Sequence, residues 1–260
     1  MGEKMKHWAR FRRTDRHVGF GQVHGENIAE YSGDLFGECR ATGETVPISQ
    51  CTLLAPCTPF KIIGLWNNFH ALAAKIGKAE PGHPLYFIKA TSAVAGPDDT
   101  IRRPRNYAGK IVYEGELGIV IGRPCKEITE ERAPDYIFGY SCINDVTAID
   151  HLKETPDFEQ WTRAKSYDTF GVVGPVIATD IDVSRLSVIT RLDGVERQNY
   201  PIADMIFSPP QIVSRISQDM SLLAGDVIAC GTSLGVGSMK QGAVVEVSVA
   251  GIGTLRNVVG

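Results

Sequence analysis

What this chain lacks narrows its class before any motif is read. No apolar run in its 260 residues approaches the roughly 20 that a membrane span requires. The opening residues, Met1 to His7, lack the apolar core of a signal peptide. Charge of neither sign dominates: the net value is -3, so neither nucleic acid nor an anionic membrane is expected as a partner. The six cysteines (Cys39, Cys51, Cys57, Cys125, Cys142 and Cys230) show no CxxC spacing, which argues against a zinc knuckle and a disulfide framework. Free thiols in a reducing cytoplasm are the expectation. There is no internal repeat, heptad array or low-complexity tract. The glycine-dense stretch Gly231 to Gly237 has no Gly-Lys-Ser/Thr ending and runs on into a strand-like segment, so it is not a phosphate-binding P-loop. Its backbone N–H groups can still hold a carboxylate.

What is present is ordinary in bulk: 43% hydrophobic and 22% charged residues, typical of a globular chain. Residues 1–55 read as a small β-rich unit, because short apolar segments such as Val18 to Val23 alternate with Gly- and Asp-containing turns. Pro56 and Pro59 stiffen the segment that follows, and a domain boundary is expected there, with residues 56–260 forming the larger unit. Within that unit, Lys61 to Leu65 and Leu85 to Ala90 read as strands. Residues 66–75 read as a short helix capped by Asn67 or Asn68, and residues 128–135 as an acidic helix. Residues 211–217 have the Ile/Val spacing of an amphipathic helix.

The most informative stretch is Tyr113-Glu114-Gly115-Glu116-Leu117-Gly118-Ile119-Val120-Ile121-Gly122. Its apolar, β-branched run favours a buried strand. Residues two apart on a strand share a face, so Glu114 and Glu116 aim together and repel unless a cation or a proton lies between them. Tyr136 to Val146 reads as a second strand ending on Asp145, which can supply a third oxygen. Two Glu and one Asp make a hard, all-oxygen site suited to Mg²⁺ or Mn²⁺. The competing reading is a solvated surface Glu-x-Glu with an unrelated Asp. Lys165 stands amid aromatic and small residues. It is read either as a partly desolvated catalytic amine or as a surface lysine with a packed stem.

Taken in order, Tyr113-Glu114-Gly115-Glu116-Leu117, Asn144-Asp145-Val146-Thr147-Ala148, Trp161-Thr162-Arg163-Ala164-Lys165-Ser166, Phe207-Ser208 and Gly231-Thr232-Ser233-Leu234-Gly235-Val236-Gly237 resemble the fumarylacetoacetate hydrolase family, over about Leu54 to the C-terminus. The first ~55 residues resemble the small extra domain of many bacterial members. The resemblance implies an α+β, mainly β fold, a mixed β-roll or barrel with flanking helices, and a homodimer. It implies that Glu114, Glu116 and Asp145 hold Mg²⁺ or Mn²⁺, that Lys165 and His70 are catalytic, and that Thr232, with Gly231 beside it, meets the substrate carboxylate. The substrates it implies are 2-oxo acids with a second carbonyl or carboxylate, such as acylpyruvates, oxaloacetate and ring-cleavage dioates.

Two departures qualify the transfer. The lid glutamate that orients the family's histidine falls at Ala73, leaving Glu80 as a candidate substitute. An Arg and a Gln that follow the family's aspartate are replaced by Ile149 and Leu152, with His151 read as a surface residue beside Lys153. Loss of the lid glutamate favours decarboxylation or isomerisation, which need less base machinery than C–C hydrolysis. An acylpyruvate hydrolase, a sugar-acid dehydratase and a metal-binding protein without turnover remain the alternatives.

Overall fold

The computed structural model describes residues 5–260. Its largest sheet follows the order Cys39–Pro47, Asn27–Gly33, Val18–His24, Lys6–Arg13, Gly171–Thr179, Ile137–Asp145, Gly115–Ile121, Val227–Ala229, Ile62–Trp66, Leu85–Lys89. The N-terminal strands extend this sheet, because Lys6–Arg13 pairs antiparallel with Gly171–Thr179, Trp8 opposite Ile177. A five-stranded sheet (Val195–Pro201, Ser187–Leu192, Val244–Val249, Gly253–Val259, Thr100–Ile101) packs against it. Leu117, Ile119 and Cys142 share one apolar core with Val188, Val247 and Leu255. A third, three-stranded sheet joins Thr147–Ala148, Ile111–Tyr113 and Gly237–Met239. The fold is α+β and mainly β, as the motifs implied. Among the described residues, no helix is long and apolar enough to cross a membrane.

Burial follows the sequence pattern. Every residue of Gly115–Ile121 is buried, which is why that strand is an uninterrupted apolar run rather than an alternating one. Val244–Val249 alternates half-buried and buried positions, as a strand with one solvated face does. The stretch expected as one strand is two, Ile111–Tyr113 and Gly115–Ile121, with Glu114 between them. Gly115 permits this junction. A Cβ there would lie 1.9 Å from Thr190 Oγ1 of the facing sheet, so only hydrogen fits.

Among the described residues three α-helices accompany the sheets: α1 (His70–Ile76), α2 (Trp161–Lys165) and α3 (Pro209–Asp219). α3 bears the expected amphipathic face, burying Ile212, Val213 and Ile216, and the Ser208 N–H donates to Gln211 Oε1 at 2.9 Å. Two expectations fail locally. The acidic segment is a 3₁₀ helix, Glu130–Tyr136, because Pro134 within it cannot donate to an α-helical ladder. Neither Asn67 nor Asn68 caps α1: its N-cap is Phe69, while Asn67 adopts φ +58° and Asn68 is drawn elsewhere.

Candidate active site

Strand register assembles the acidic cluster. Gly115–Ile121 and Ile137–Asp145 run antiparallel with Gly115 opposite Asn144, so Glu114 lies beside Asp145, whose N–H donates to the Glu114 carbonyl at 2.9 Å. Glu116 projects two residues along from Glu114. One carboxylate oxygen from each of Glu114, Glu116 and Asp145 lies within 4.8 Å of the others. Glu116 and Asp145 are fully buried, which removes the reading of a solvated surface Glu-x-Glu.

Each carboxylate has its own set of partners. Glu114 Oε1 accepts from Thr147 Oγ1 at 2.7 Å, and its Oε2 lies 2.9 Å from Lys165 Nζ. Asp145 Oδ2 accepts from Lys165 Nζ at 2.6 Å, and its Oδ1 accepts from Lys89 Nζ. Glu116 Oε2 accepts from the Gly231 N–H at 2.8 Å, while its Oε1 is buried without a partner. The Gly231 amide is therefore taken by a carboxylate of the protein, from a backbone at φ +89° where a Cβ would press 3.2 Å from Leu65 O.

Burial pushes the Glu116 carboxyl well above the ordinary carboxylate range, and the charges of Asp145 and Glu114 push it further. Burial would raise Asp145 too, but the adjacent ammonium groups of Lys165 and Lys89 outweigh it and hold Asp145 below its usual value. For Lys165 burial opposes the charge; Asp145, Glu114 and Glu116 together overcome this and keep the amine protonated. Lys89 ends lowered, because its burial outweighs the attraction of Asp145 and Lys165 adds repulsion. A buried carboxylate oxygen with no donor is costly unless a cation or proton meets it. An all-oxygen triad with one carboxylate oxygen, Glu116 Oε1, left unpartnered fits a hard divalent ion such as Mg²⁺ or Mn²⁺.

Lys165 is thus a buried amine, 1% exposed, and not a surface lysine. It closes α2, with its Nζ 5.0 Å from the Phe87 ring centroid; that ring in turn stacks on Trp161 at 5.2 Å. Thr232 is 8% exposed, and its hydroxyl donates to the Gly115 carbonyl at 3.0 Å and accepts from Gln198 Nε2 at 2.8 Å.

His70 opens α1, and its Nδ1 lies 2.5 Å from Glu80 Oε1. Two local features bring Glu80 back from beyond the helix. Gly77 ends α1 in the left-handed region at φ +65°, reversing the chain. Asn67 Nδ2 then donates to the Ala79 carbonyl at 3.2 Å, pinning the residue before Glu80 against the start of the helix. Ala73 is buried on the inner face of α1, where a carboxylate would be unfavourable.

His151 is not a surface residue. It is buried, its ring 4.6 Å from the Tyr107 ring, with Nε2 3.0 Å from Tyr167 OH and Nδ1 2.6 Å from Glu154 Oε2. The 3₁₀ turn Ile149–Lys153 rotates it inward, and Leu152 is buried alongside. Sequence reading missed Lys89, Thr147, Gln198 and Asn68. The only local signal for Lys89 was a cation closing an otherwise apolar strand.

Comparison with known proteins identifies the family. Residues 61–260 match the model of the fumarylacetoacetate (FAA) hydrolase C-terminal family, and residues 6–56 match the Rv2993c-like N-terminal family. The 2-hydroxyhepta-2,4-diene-1,7-dioate isomerase structure from Mycobacterium marinum superposes with a TM-score of 0.89 at 38% identity, covering 98% of each chain. The oxaloacetate tautomerase YisK of Bacillus subtilis is 36% identical across 82% of this chain and 74% of its own. Maleylpyruvate hydrolase from Sphingobium sp. SYK-6, bound to manganese(II) and pyruvate, superposes with a TM-score of 0.80 at 26% identity, covering 97% of this chain and 98% of that one. With the matched model spanning most of the chain, the protein belongs to the fumarylacetoacetate hydrolase family.

Proposed function

We propose that this protein is a Mg²⁺- or Mn²⁺-dependent isomerase or decarboxylase acting on 2-oxo or 2-hydroxy-dienoic acids that carry a second carbonyl or carboxylate, of the kind formed by aromatic ring cleavage. The observation that carries this reading is the buried Glu114–Glu116–Asp145 cluster with one carboxylate oxygen left unpartnered. Glu114, Glu116 and Asp145 would hold the ion. When bound, it supplies Lewis-acid polarisation of a carbonyl oxygen, which eases loss of a proton or CO₂ from the neighbouring carbon. Lys165, kept protonated by the three carboxylates, supports negative charge developing on that oxygen. The His70 imidazole, held through Nδ1 by Glu80, presents Nε2 to take up and return the proton that tautomerisation relocates. The identities of the M. marinum isomerase and the B. subtilis tautomerase support proton relocation as the reaction. The enzyme is proposed to work as a homodimer in the cytoplasm.

A second reading, C–C hydrolysis of an acylpyruvate, is favoured by the same His70–Glu80 contact, because an oriented imidazole also activates water. Metal-stripped protein reloaded with Mg²⁺ or Mn²⁺ and offered oxaloacetate, acetylpyruvate and fumarylpyruvate separates the two. Metal-dependent enol–keto exchange or CO₂ release, without pyruvate from the acylpyruvates, is the expected result. Pyruvate release from an acylpyruvate would establish hydrolysis instead. Saturable metal binding with no turnover of any 2-oxo acid would leave a non-catalytic metal-binding protein.

A further inference from the structure

Away from the acidic cluster, a cavity of about 450 Å³ is lined by Arg102, Arg103, Pro104, Arg105, Ser166, Tyr167 and Asp168. One wall is the loop Arg102 to Lys110, which carries three arginines and a lysine and no carboxylate. In a chain of net charge -3 this is a local excess of positive charge. Elsewhere among the described residues, Arg13, Arg123, Arg132, Arg163, Arg191 and Arg256 pair with carboxylates and seven arginines do not, but here three arginines within four residues of one another line a single cavity. None of the three loop arginines has such an ion pair among the described residues, and Arg102 and Arg105 are exposed at the cavity. Asp168 is the one acid in the lining.

The loop is braced rather than loose. Arg103 Nη1 donates to the Gly109 carbonyl at 2.7 Å, and Tyr107 OH donates to the Lys110 carbonyl at 2.7 Å while its ring packs on His151. The Arg102 N–H donates to Thr169 Oγ1 at 2.8 Å, and Thr169 holds φ +69°, a conformation that β-branched residues rarely adopt. A strained threonine thus anchors the first arginine of the loop to the segment that follows α2. The opposite wall, Ser166 to Asp168, begins one residue after Lys165, and Ser166 Oγ accepts from the N–H of Ala90, the neighbour of Lys89.

We propose that this arginine-lined cavity binds an oxyanion carrying two or more negative charges, phosphate or carboxylate in kind. Planar guanidinium groups recognise both through paired N–H donors. Occupancy would tie the arginine loop to the segment that seats Lys165.

The test uses the full-length, metal-loaded protein and calorimetric titration with pyrophosphate and, separately, citrate, each at constant ionic strength set with chloride. Saturable binding of either is expected, weakened by about tenfold or more in the Arg102→Gln/Arg105→Gln double variant, as loss of charge-assisted donors requires. Pyrophosphate binding alone would identify a phosphate-bearing ligand; citrate binding alone would identify a polycarboxylate. Binding of either that persists unchanged in the double variant would place the anion at another site and overturn the proposal. So would the absence of saturable binding of both. Circular dichroism and the melting temperature of the double variant, whose substituted side chains are exposed, show whether it is folded. The result is independent of which 2-oxo acid, if any, the enzyme turns over.

Discussion

His70 Nδ1 and Glu80 Oε1 are 2.5 Å apart, although ten residues and a helix end separate them in the chain. Reversal at Gly77 and the Asn67–Ala79 hydrogen bond create the contact, so a carboxylate reaches the imidazole despite alanine at position 73. An imidazole oriented through one nitrogen offers the other in a defined tautomer. Glu80→Gln should therefore lower kcat by about 10- to 100-fold, less than the roughly 100- to 10,000-fold of a whole general base because the imidazole itself remains, with little change in metal affinity. Steady-state kinetics alongside Mn²⁺ titration checks this. Unchanged kcat would show that the contact plays no part in turnover.

Glu116 is the carboxylate most dependent on an added cation, since it alone of the three has a buried, unpartnered oxygen. Glu116→Gln keeps the volume and removes the charge. Mn²⁺ affinity should fall by more than about 100-fold, beyond the loss typical of an outer partner of a metal ligand. Calorimetric titration reads this directly, without reliance on activity. Metal affinity equal to that of the unmodified protein would move the site elsewhere.

Lys165 touches two of the three carboxylates, Asp145 at 2.6 Å and Glu114 at 2.9 Å. Lys165→Met removes one partner of a buried ion pair, which commonly costs about 3–5 kcal/mol. A bound divalent ion would offset the negative charge of the same carboxylates, so Mn²⁺ should raise the melting temperature of the variant by more than it raises that of the unmodified protein. kcat should still fall by about 100-fold, because charge developing on the substrate oxygen loses its fixed ammonium. Full activity in the metal-loaded variant would reduce Lys165 to a structural cation.

These residues differ in how openly the sequence displayed them. Glu114, Glu116 and Asp145 were legible as candidates from their places at two apolar, β-branched runs, but it was the resemblance to the family's motifs that set them apart from a solvated surface pair. Lys89 was not, since a single lysine at a strand end carries no periodic signal and its partner Asp145 lies 56 residues away. Glu80 depended on a left-handed turn whose consequence is visible only once the chain reverses. His151 was misread because its neighbours Asp150, Lys153 and Glu154 are charged, yet a 3₁₀ turn places it between Tyr107 and Tyr167. The N-terminal strands read correctly as β, but their continuation of the main sheet rests on pairing between residues 6–8 and 177–179, which no local pattern encodes.

All six cysteines are free thiols; burial raises Cys57 and Cys142 from 9.0 to about 12 and pushes Cys230 well above 9.0. A folded-state value above the unfolded one means that the native protein retains a proton the unfolded chain gives up. The resulting stability is complete below about pH 9 and is lost as pH rises towards 12. Denaturant midpoints should fall progressively across that alkaline window. At pH 8, a thiol reagent should modify the half-buried Cys39 and Cys51 before Cys57 and Cys142. Equal labelling rates in the folded protein would contradict the burial of the latter pair.

Asn68 links the segment leading into α1 to the acidic cluster, and its loss should register in metal affinity. Its Nδ2 donates to the Cys230 carbonyl at 2.9 Å, and its Oδ1 accepts from the Phe207 N–H at 2.9 Å. Cys230 precedes Gly231, whose N–H holds Glu116 Oε2, so one buried amide fixes the loop that orients the Glu116 carboxylate. Asn68→Ala leaves a buried carbonyl and a buried N–H unpaired, at about 1–3 kcal/mol each. A lower melting temperature is expected on that ground alone and would not by itself distinguish packing from function. The discriminating quantity is Mn²⁺ affinity, which should fall about tenfold as Glu116 loses its positioned donor. Asn68→Asp keeps the acceptor for Phe207 but cannot donate to Cys230. It sets a buried carboxyl oxygen against the Cys230 carbonyl, so it should show the same metal defect with a stability loss at least as large. Intact metal affinity in both variants would confine Asn68 to anchoring the start of α1.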